Sequence, residues 1–224
     1  MRSIVLLNAK GGCGKTTLTT NLAGYYASRG KSVLIADFDP QGSSIDWLAA
    51  RPADRPPIEG VKAWREPVRA TQRPDYFLID APARVAGREL SHLVRHAEAV
   101  IVPVLPSPID IRAATHFIRE LLLTCHALRH EGRLAVVANR VREQNLIYQD
   151  LERFLKSLEI PFVATFRETQ NYIRAVQQGL GIFELPGGQA AHDVEQWRPL
   201  LEWLEERDEV KLLERETTNE VAQA

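Results

Sequence analysis

Cysteine is scarce in this sequence. Its 224 residues include two cysteines, Cys13 and Cys125, too few for a disulfide framework or a multi-cysteine metal site. Long apolar runs are also missing, because none approaches the ~20 residues that a membrane-spanning helix needs. The first residues show no secretory signal pattern. These absences predict a protein of the reducing cytoplasm that does not insert into a membrane.

An excess of charge of one sign is missing as well, since the formal net charge is −1. The balance is uneven along the chain. Residues 202–224 hold eight acidic and three basic side chains, a net charge of −5, which leaves +4 on residues 1–201. The mildly basic body leaves nucleic-acid binding open. An anionic membrane surface would repel the acidic end.

Short continuous apolar runs alternate with patterns of helical spacing. The runs predict strands buried on both faces, at Ser3–Asn8, Ser32–Asp37, Tyr76–Asp80, Ala99–Leu105, Leu134–Asn139 and Phe162–Phe166. Helical spacing predicts helices at Thr16–Ser28, Ile111–Arg129, Leu146–Leu158, Thr169–Gln178 and Val194–Glu206. The alternation predicts an α/β fold, a doubly wound and mostly parallel sheet with helices on both faces.

The domain boundaries follow from composition. Residues 1–206 are expected to form one domain, and residues 207–224 an acidic tail without an apolar period. The proline-rich stretch Arg51–Gly60 is predicted to be a surface loop within the domain.

A glycine-rich segment joins the first strand to the first helix, and it ends in Gly14-Lys15-Thr16. Glycines allow backbone N–H groups to curl around phosphate oxygens, and the helix N-terminus adds partial positive charge. Lys15 is expected to neutralise the β- and γ-phosphates, and the Thr16 hydroxyl to bind Mg²⁺. The alternatives are a simple glycine-rich turn or a dinucleotide fingerprint, which would need glycine at Thr17.

The whole segment Lys10-Gly11-Gly12-Cys13-Gly14-Lys15-Thr16-Thr17 resembles the deviant Walker A motif of the ParA/MinD family of ATPases. The resemblance implies a P-loop NTPase in which all eight of these residues contact ATP. It also gives a role to Lys10, the second lysine that marks this motif. In the family this lysine reaches across a nucleotide-sandwich homodimer to the partner subunit's phosphates.

Three aspartates follow two of the predicted strands. Asp37 and Asp39 lie in a D-x-D-P-Q-G segment that resembles the family's second acidic motif, and Asp80 ends a strand that resembles Walker B. The resemblance implies that Asp39 is catalytic, together with Lys10 and Lys15, by positioning the attacking water. The metal site would consist of Thr16, Asp37, Asp39 and Asp80 around Mg²⁺. The alternative for the Asp37–Asp39 pair is a helix cap, a task that a Ser43…Asp46 capping box is expected to perform instead.

Two further positions are expected to read the base. Asn139 ends the fifth predicted strand, where the family places an adenine-reading asparagine, and Arg167 lies in a segment that resembles the one closing the base pocket. ParA-like members also bind double-stranded DNA without sequence preference. The candidates for DNA contacts are basic residues of the C-terminal third, namely Arg140, Arg142, Arg153, Lys156, Arg167 and Arg174.

The resemblance therefore implies a cytoplasmic, nucleoid-associated partition or positioning ATPase. A separate ParB-like or cargo-adaptor protein would stimulate its slow ATP hydrolysis and release it from DNA. Plasmid, chromosome or protein cargo all remain open. The alternatives are a MinD-like membrane-associated regulator, which the acidic end disfavours, and a metabolic P-loop phosphotransferase, which has no use for Lys10.

Overall fold

The computed structural model describes residues 1–125, 128, 131–142, 148–157 and 159–206. These residues contain seven strands: β1 (Arg2–Leu6), β2 (Val33–Asp37), β3 (Glu59–Lys62), β4 (Tyr76–Asp80), β5 (Ala99–Val104), β6 (Leu134–Val141) and β7 (Phe162–Arg167). They form one sheet in the order β3-β2-β4-β1-β5-β6-β7. Every pairing is parallel. The predicted α/β fold with a parallel, doubly wound sheet is confirmed.

The helices that connect the strands are α1 (Lys15–Ala27), α2 (Ser43–Ala49), α3 (Gly87–Val94), α4 (Pro108–Thr124), α5 (Tyr148–Ser157), α6 (Gln170–Gln177) and α7 (Ala191–Glu195). A short 3-10 turn covers Ile182–Glu184, and residues 198–206 are helical. Within the described ranges no helix combines the length and apolar composition that a bilayer crossing requires.

Successive residues of the central strand β1 face two different cores. Ile4 and Leu6 belong to the core that includes residues of α1 and Trp197, whereas Val5 belongs to the core that includes residues of α3 and α4. A strand buried on both faces has no solvent-exposed face, so apolar residues need not alternate with polar ones. This explains why the strands appear in the sequence as continuous apolar runs. Because β1 lies between β4 and β5, its C-terminal end lies at the point where the chain changes direction across the sheet.

The surface loop predicted at Arg51–Gly60 is wrong at its end, where Glu59 and Gly60 belong to β3. This strand is a short edge strand with one buried side chain, Val61, so it lacks an apolar run. Among the described strands it pairs with β2 alone, and a Cβ on Gly60 would overlap the Leu48 side chain of α2. The close approach of a neighbouring helix, which the sequence does not reveal, accounts for glycine in this strand.

Several helices begin or end at other residues than the sequence predicts. Helix α4 begins at Pro108, with Ser107 accepting a hydrogen bond from the Asp110 amide, and ends at Thr124. The end predicted at Arg129 lies outside the described residues. The helix predicted at Val194–Glu206 is interrupted by a turn at residues 196–197. The predicted ends of α5 at Leu146 and Leu158, and the tail 207–224, lie outside the described residues.

Candidate functional site

The loop between β1 and α1 is anchored near its start by Asn8. The buried Asn8 amide donates to the Pro103 carbonyl at 2.6 Å, and its Oδ1 accepts from the Lys10 amide at 3.2 Å. Asn8 thereby ties the loop to the end of the neighbouring strand β5. Sequence reasoning missed this residue, because a polar side chain at a strand end gives no signal until its neighbour is known.

Gly14 closes the loop in a conformation that other residues rarely adopt. Its φ is 104°, and a Cβ there would overlap the Asn139 side chain. The Asn139 Nδ2 donates to the Cys13 carbonyl at 2.8 Å, so the end of β6 is attached to the middle of the loop. Glycine is therefore required at this position by backbone conformation and by the contact with Asn139.

The two lysines of the loop have different surroundings. Lys15 is buried, and its Nζ donates to the Lys10 carbonyl at 3.2 Å across the loop. The Lys10 Nζ instead lies 3.5 Å from Asp110 Oδ1 at the start of α4, with 39% of its side chain exposed. Lys15 thus faces the interior of the loop, whereas Lys10 lies at its outer side and is held by an acid of the same chain.

Asp80, at the end of β4, is buried beside the Thr16 hydroxyl. It is 1% exposed, and no described residue gives either carboxylate oxygen a hydrogen bond of normal geometry. Burial raises the pKa of Asp80 to about 7; the Thr16 hydroxyl and Lys15 oppose this shift, while Asp37 and Asp39 add to it. An unsatisfied buried carboxylate beside a hydroxyl suits a hard cation such as Mg²⁺, which prefers oxygen ligands.

Asp37 is fully buried, and both of its oxygens are engaged. Oδ2 accepts from the Ser44 hydroxyl at 2.7 Å and from the Ser44 amide at 3.1 Å, and Oδ1 accepts from the Asp39 amide at 2.9 Å. The carboxylate of Asp37 therefore satisfies the first turn of α2. The expected Ser43…Asp46 capping box is not formed, because Gly42 occupies the N-cap position without a side-chain hydrogen bond.

Asp39 lies two residues beyond Asp37, in a turn. Its Oδ1 accepts from the Gln41 amide at 3.0 Å, and its carbonyl accepts from the Gly42 amide. The side chain is half-buried and faces a cavity. Within the described residues the acids do not gather into a group of three metal ligands.

A cavity of about 680 Å³ lies above the loop at the C-terminal edge of the sheet. Most of the predicted phosphate site lines it, together with the acidic turn and the end of β6: Gly11, Gly12, Gly14, Lys15, Thr16, Thr17, Asp39 and Arg140. Pro82 and Ala83, which follow Asp80, form another part of the wall. The tertiary structure thus brings the three predicted phosphate-site segments to one cavity of suitable size for a nucleotide.

Other predicted residues lie away from its lining. Cys13 is 1% exposed, and burial raises the pKa of its thiol. Arg167 forms an ion pair with the fully buried Asp193, to which Asn171 also donates, and its amide donates to Gln196. A role for Arg167 in closing a base pocket stays a prediction.

The candidates for DNA contacts are dispersed over the end of the sheet and its helices. Arg142 is paired with Glu168 at 2.5 Å and Lys156 with Glu152 at 3.1 Å, all four with exposed side chains. Arg174 lies in α6 and Arg153 in α5. A role for any of them in DNA binding stays a prediction.

A comparison with protein families decides what kind of site this is. Residues 4–182 match the model of the CobQ/CobB/MinD/ParA nucleotide binding domain. The chain belongs to this family. The match covers the loop, the three aspartates and Asn139, so the chain contains a ParA/MinD-type nucleotide-binding ATPase domain. That the cavity holds the nucleotide stays a prediction. The predicted resemblance to this family is confirmed.

Relatives within the CobQ/CobB/MinD/ParA family include partition and positioning proteins. Maintenance of carboxysome distribution protein A of Halothiobacillus neapolitanus is 28% identical over 203 residues, which are 87% of this chain and 93% of that protein. The chromosome-partitioning ATPase Soj of Thermus thermophilus is 35% identical over 139 residues, 46% of this chain and 55% of Soj. The structure of apo McdA from Cyanothece covers 91% of this chain and 99% of its own, with a TM-score of 0.66 and 18% identity.

Proposed function

We propose that this chain is a ParA-like partition or positioning ATPase that uses ATP with Mg²⁺. The observation that carries the proposal is the phosphate loop itself, with the buried Lys15 facing its interior, the outer Lys10 beside it and the buried Asp80 below. Membership of the family and the similarity to McdA and Soj proteins support it.

The residues around the loop suit magnesium. Thr16 and Asp80 would hold it, with Asp80 acting through water, and the ion would supply positive charge that offsets the charge of the β- and γ-phosphates. The Asp80 carboxylate suits this role, because no described residue forms a competing hydrogen bond of normal geometry with it. Lys15 and the loop amides would hold the phosphates in place.

Hydrolysis needs a water in line with the γ-phosphate. Asp39 faces the cavity from a turn whose backbone Asp37 fixes, so its carboxylate is positioned to accept a hydrogen bond from that water. The water oxygen forms a bond to the γ-phosphorus as the bond to the β–γ bridging oxygen breaks, and the water proton passes to the released phosphate. Lys10 of a second copy would stabilise the charge on the leaving oxygen.

The ATP-bound homodimer is then the form that binds double-stranded DNA without sequence preference. Basic side chains of two subunits acting together give a switch, because each phosphate contact adds to the affinity. A separate adaptor protein stimulates hydrolysis and releases the dimer, which moves plasmid, chromosome or protein cargo. The relatives' names include both carboxysome and chromosome positioning, so the class of cargo is left open.

Size-exclusion chromatography with ATP and Mg²⁺ tests the dimer. A shift from monomer to dimer is expected for the wild type, and Asp39→Ala should keep the dimer while losing phosphate release. Lys10→Ala should bind ATP as a monomer. A wild type that binds ATP but stays monomeric overturns the sandwich dimer and favours a metabolic phosphotransferase.

Electrophoretic mobility shifts on random-sequence DNA test the second step. Binding should require ATP and should fall steeply between 50 and 200 mM salt, as counterion release demands. DNA binding that does not require ATP, or whose affinity does not change with salt concentration, contradicts the proposal. Pelleting with anionic vesicles should be negative, and clear binding there would support a MinD-like membrane regulator instead.

A further inference from the structure

Trp64 packs against the acidic turn (residues 37–42), which carries Asp39. A Cβ on Gly42 would lie 3.1 Å from the Cη2 atom of Trp64 and 3.6 Å from its Cζ2, so the six-membered ring of the indole faces the Gly42 backbone at close range. Gly42 is buried, and its φ of 68° places it in the left-handed region as the N-cap of α2. The contact therefore lies where the turn passes into the helix.

The chain after β3 is folded so that Trp64 reaches this point. Lys62, the last residue of β3, pairs with Asp37, the last residue of β2. The amides of Arg65 and Glu66 both donate to the Lys62 carbonyl, at 2.8 and 3.1 Å, which closes a tight turn around Trp64. The indole is therefore held beside the C-terminal end of β2, where the acidic turn begins.

Helix α2 contacts β3 and the residues that follow it at two places. Near the end of the helix, a Cβ on Gly60 would be 2.3 Å from Leu48 Cδ1 and 3.1 Å from Ile45 Cδ1. At the start of the helix, Gly42 lies against Trp64. Glycine at each contact allows the two elements to approach closely. Trp64 therefore sets the distance between the start of α2 and the edge of the sheet.

The acidic turn has the cavity on one side and Trp64 on another. Asp39 and Gln41 belong to the lining of the cavity above the phosphate loop, whereas Trp64 and Gly42 do not. The Gly42 amide donates to the Asp39 carbonyl at 2.9 Å, and the Gln41 amide donates to Asp39 Oδ1 at 3.0 Å. Because these hydrogen bonds close the turn on itself, a displacement of Gly42 also displaces the Asp39 carboxylate.

We propose that Trp64 is a positioning residue for ATP hydrolysis, because its indole holds Gly42 and thereby fixes the Asp39 carboxylate at the cavity. The inference rests on the proposed role of Asp39 toward the attacking water. A group that must meet a water in line with a phosphate tolerates little displacement, since an error of about 1 Å can cost about 100-fold in rate. The rigid indole removes this freedom from the turn.

The phosphate loop does not depend on the contact of Trp64 with Gly42. It is anchored by Asn8 on the Pro103 carbonyl and by Asn139 on the Cys13 carbonyl. Neither asparagine belongs to α2, β3 or the acidic turn. Removal of the indole should therefore lower the rate of hydrolysis and leave the affinity for ATP unchanged, which distinguishes positioning from binding.

Steady-state ATP hydrolysis with Mg²⁺ tests the inference. Trp64→Ala should lower kcat roughly 10- to 100-fold, while KM, the Kd for ATP from isothermal titration and the ATP-dependent dimer stay as in the wild type. Trp64→Phe should lose less, because the smaller ring still fills part of the space. Leu48→Ala is the matched control: it removes the other contact of α2 with β3, so it should lower the melting temperature and leave kcat unchanged.

A double variant shows whether Trp64 acts through Asp39. Trp64→Ala combined with Asp39→Ala should hydrolyse ATP at the residual rate of Asp39→Ala alone, because the indole then has no carboxylate to position. A further loss in the double variant would contradict the inference, as would an unchanged kcat in Trp64→Ala or a loss of ATP affinity or of the dimer that accounts for the lower rate. A wild type without ATPase activity, or an Asp39→Ala variant as active as the wild type, would instead overturn the proposed function on which the inference rests.

Discussion

The ammonium group of Lys10 lies 3.5 Å from Asp110 Oδ1 of the same chain. In the proposed dimer Lys10 must instead reach the phosphates bound by the partner subunit, so this ion pair competes with dimer formation. The side chains are 39% and 20% exposed, and a pair so close to solvent stabilises by at most about 1 kcal/mol. The competition is therefore weak enough for ATP to overcome.

Asp110→Asn should release Lys10 while keeping the side chain near Ser107, its partner at the start of α4. The ATP concentration that gives half-maximal dimer should fall by up to about fivefold, the factor equivalent to 1 kcal/mol. Analytical ultracentrifugation across an ATP titration measures this. Asp54→Asn, an exposed acid elsewhere, is the control. A weaker dimer with unchanged melting temperature would show that Asp110 assists the bound state.

Asp80→Asn should remove a pH dependence of stability. An acid whose pKa is raised on folding, here from 3.8 to about 7, destabilises the native state as pH rises between these values. The full shift corresponds to on the order of 4 kcal/mol without metal. Urea unfolding in EDTA should give the wild type a lower free energy of unfolding at pH 8 than at pH 5. The free energy of unfolding of Asp80→Asn should differ little between the two pH values. The prediction fails if the two proteins respond alike.

Substitution of Asp37 should unfold the acidic turn. Removing this carboxylate leaves the Ser44 amide and hydroxyl without their acceptor, and a broken buried charged hydrogen bond typically costs about 3 kcal/mol. We expect urea unfolding to show that Asp37→Ala lowers the free energy of unfolding by about 3 kcal/mol. Ser44→Ala should lower it by about 1 kcal/mol, and Asp39→Ala should leave it almost unchanged. An Asp37→Ala protein of normal stability that fails to bind magnesium would assign Asp37 to the metal.

Two glycines of the phosphate loop form a matched pair. Gly14→Ala places a methyl group in a left-handed backbone and against Asn139, whereas a Cβ on Gly11 would meet open space. We expect Gly14→Ala to lower stability by about 2 kcal/mol and to weaken ATP binding at least tenfold. Gly11→Ala should fold normally. Differential scanning calorimetry measures the stability of the two variants, and ATP titration measures their affinity. Equal losses at both positions would contradict the role given to Asn139.

Much of the fold was predictable because the strands are buried on both faces. Continuous apolar runs such as Tyr76–Asp80 and Ala99–Val104 predict buried strands directly, and their alternation with helices implies parallel pairing. The edge strand β3 was not predictable, since only Val61 is buried and proline precedes it. Helix α7 and the turn at residues 196–197 depended on packing around the buried Asp193 and Trp197, which spacing does not encode.

The sequence by itself determined the residues of the loop and the phosphate-binding role proposed for them, because glycines, Lys15 and Thr16 between a strand and a helix suit that role. It also determined the acids that end β2 and β4. The tertiary structure alone decided the surroundings of these groups: Asp37 caps α2, Asp80 has no hydrogen bond of normal geometry among the described residues, and Lys10 contacts Asp110. The position of Arg140 was decided in the same way, since it depends on Asn139, Cys13 and Gly14. Such relationships join residues far apart in the chain, and only the packing of strands and helices brings them within hydrogen-bonding distance.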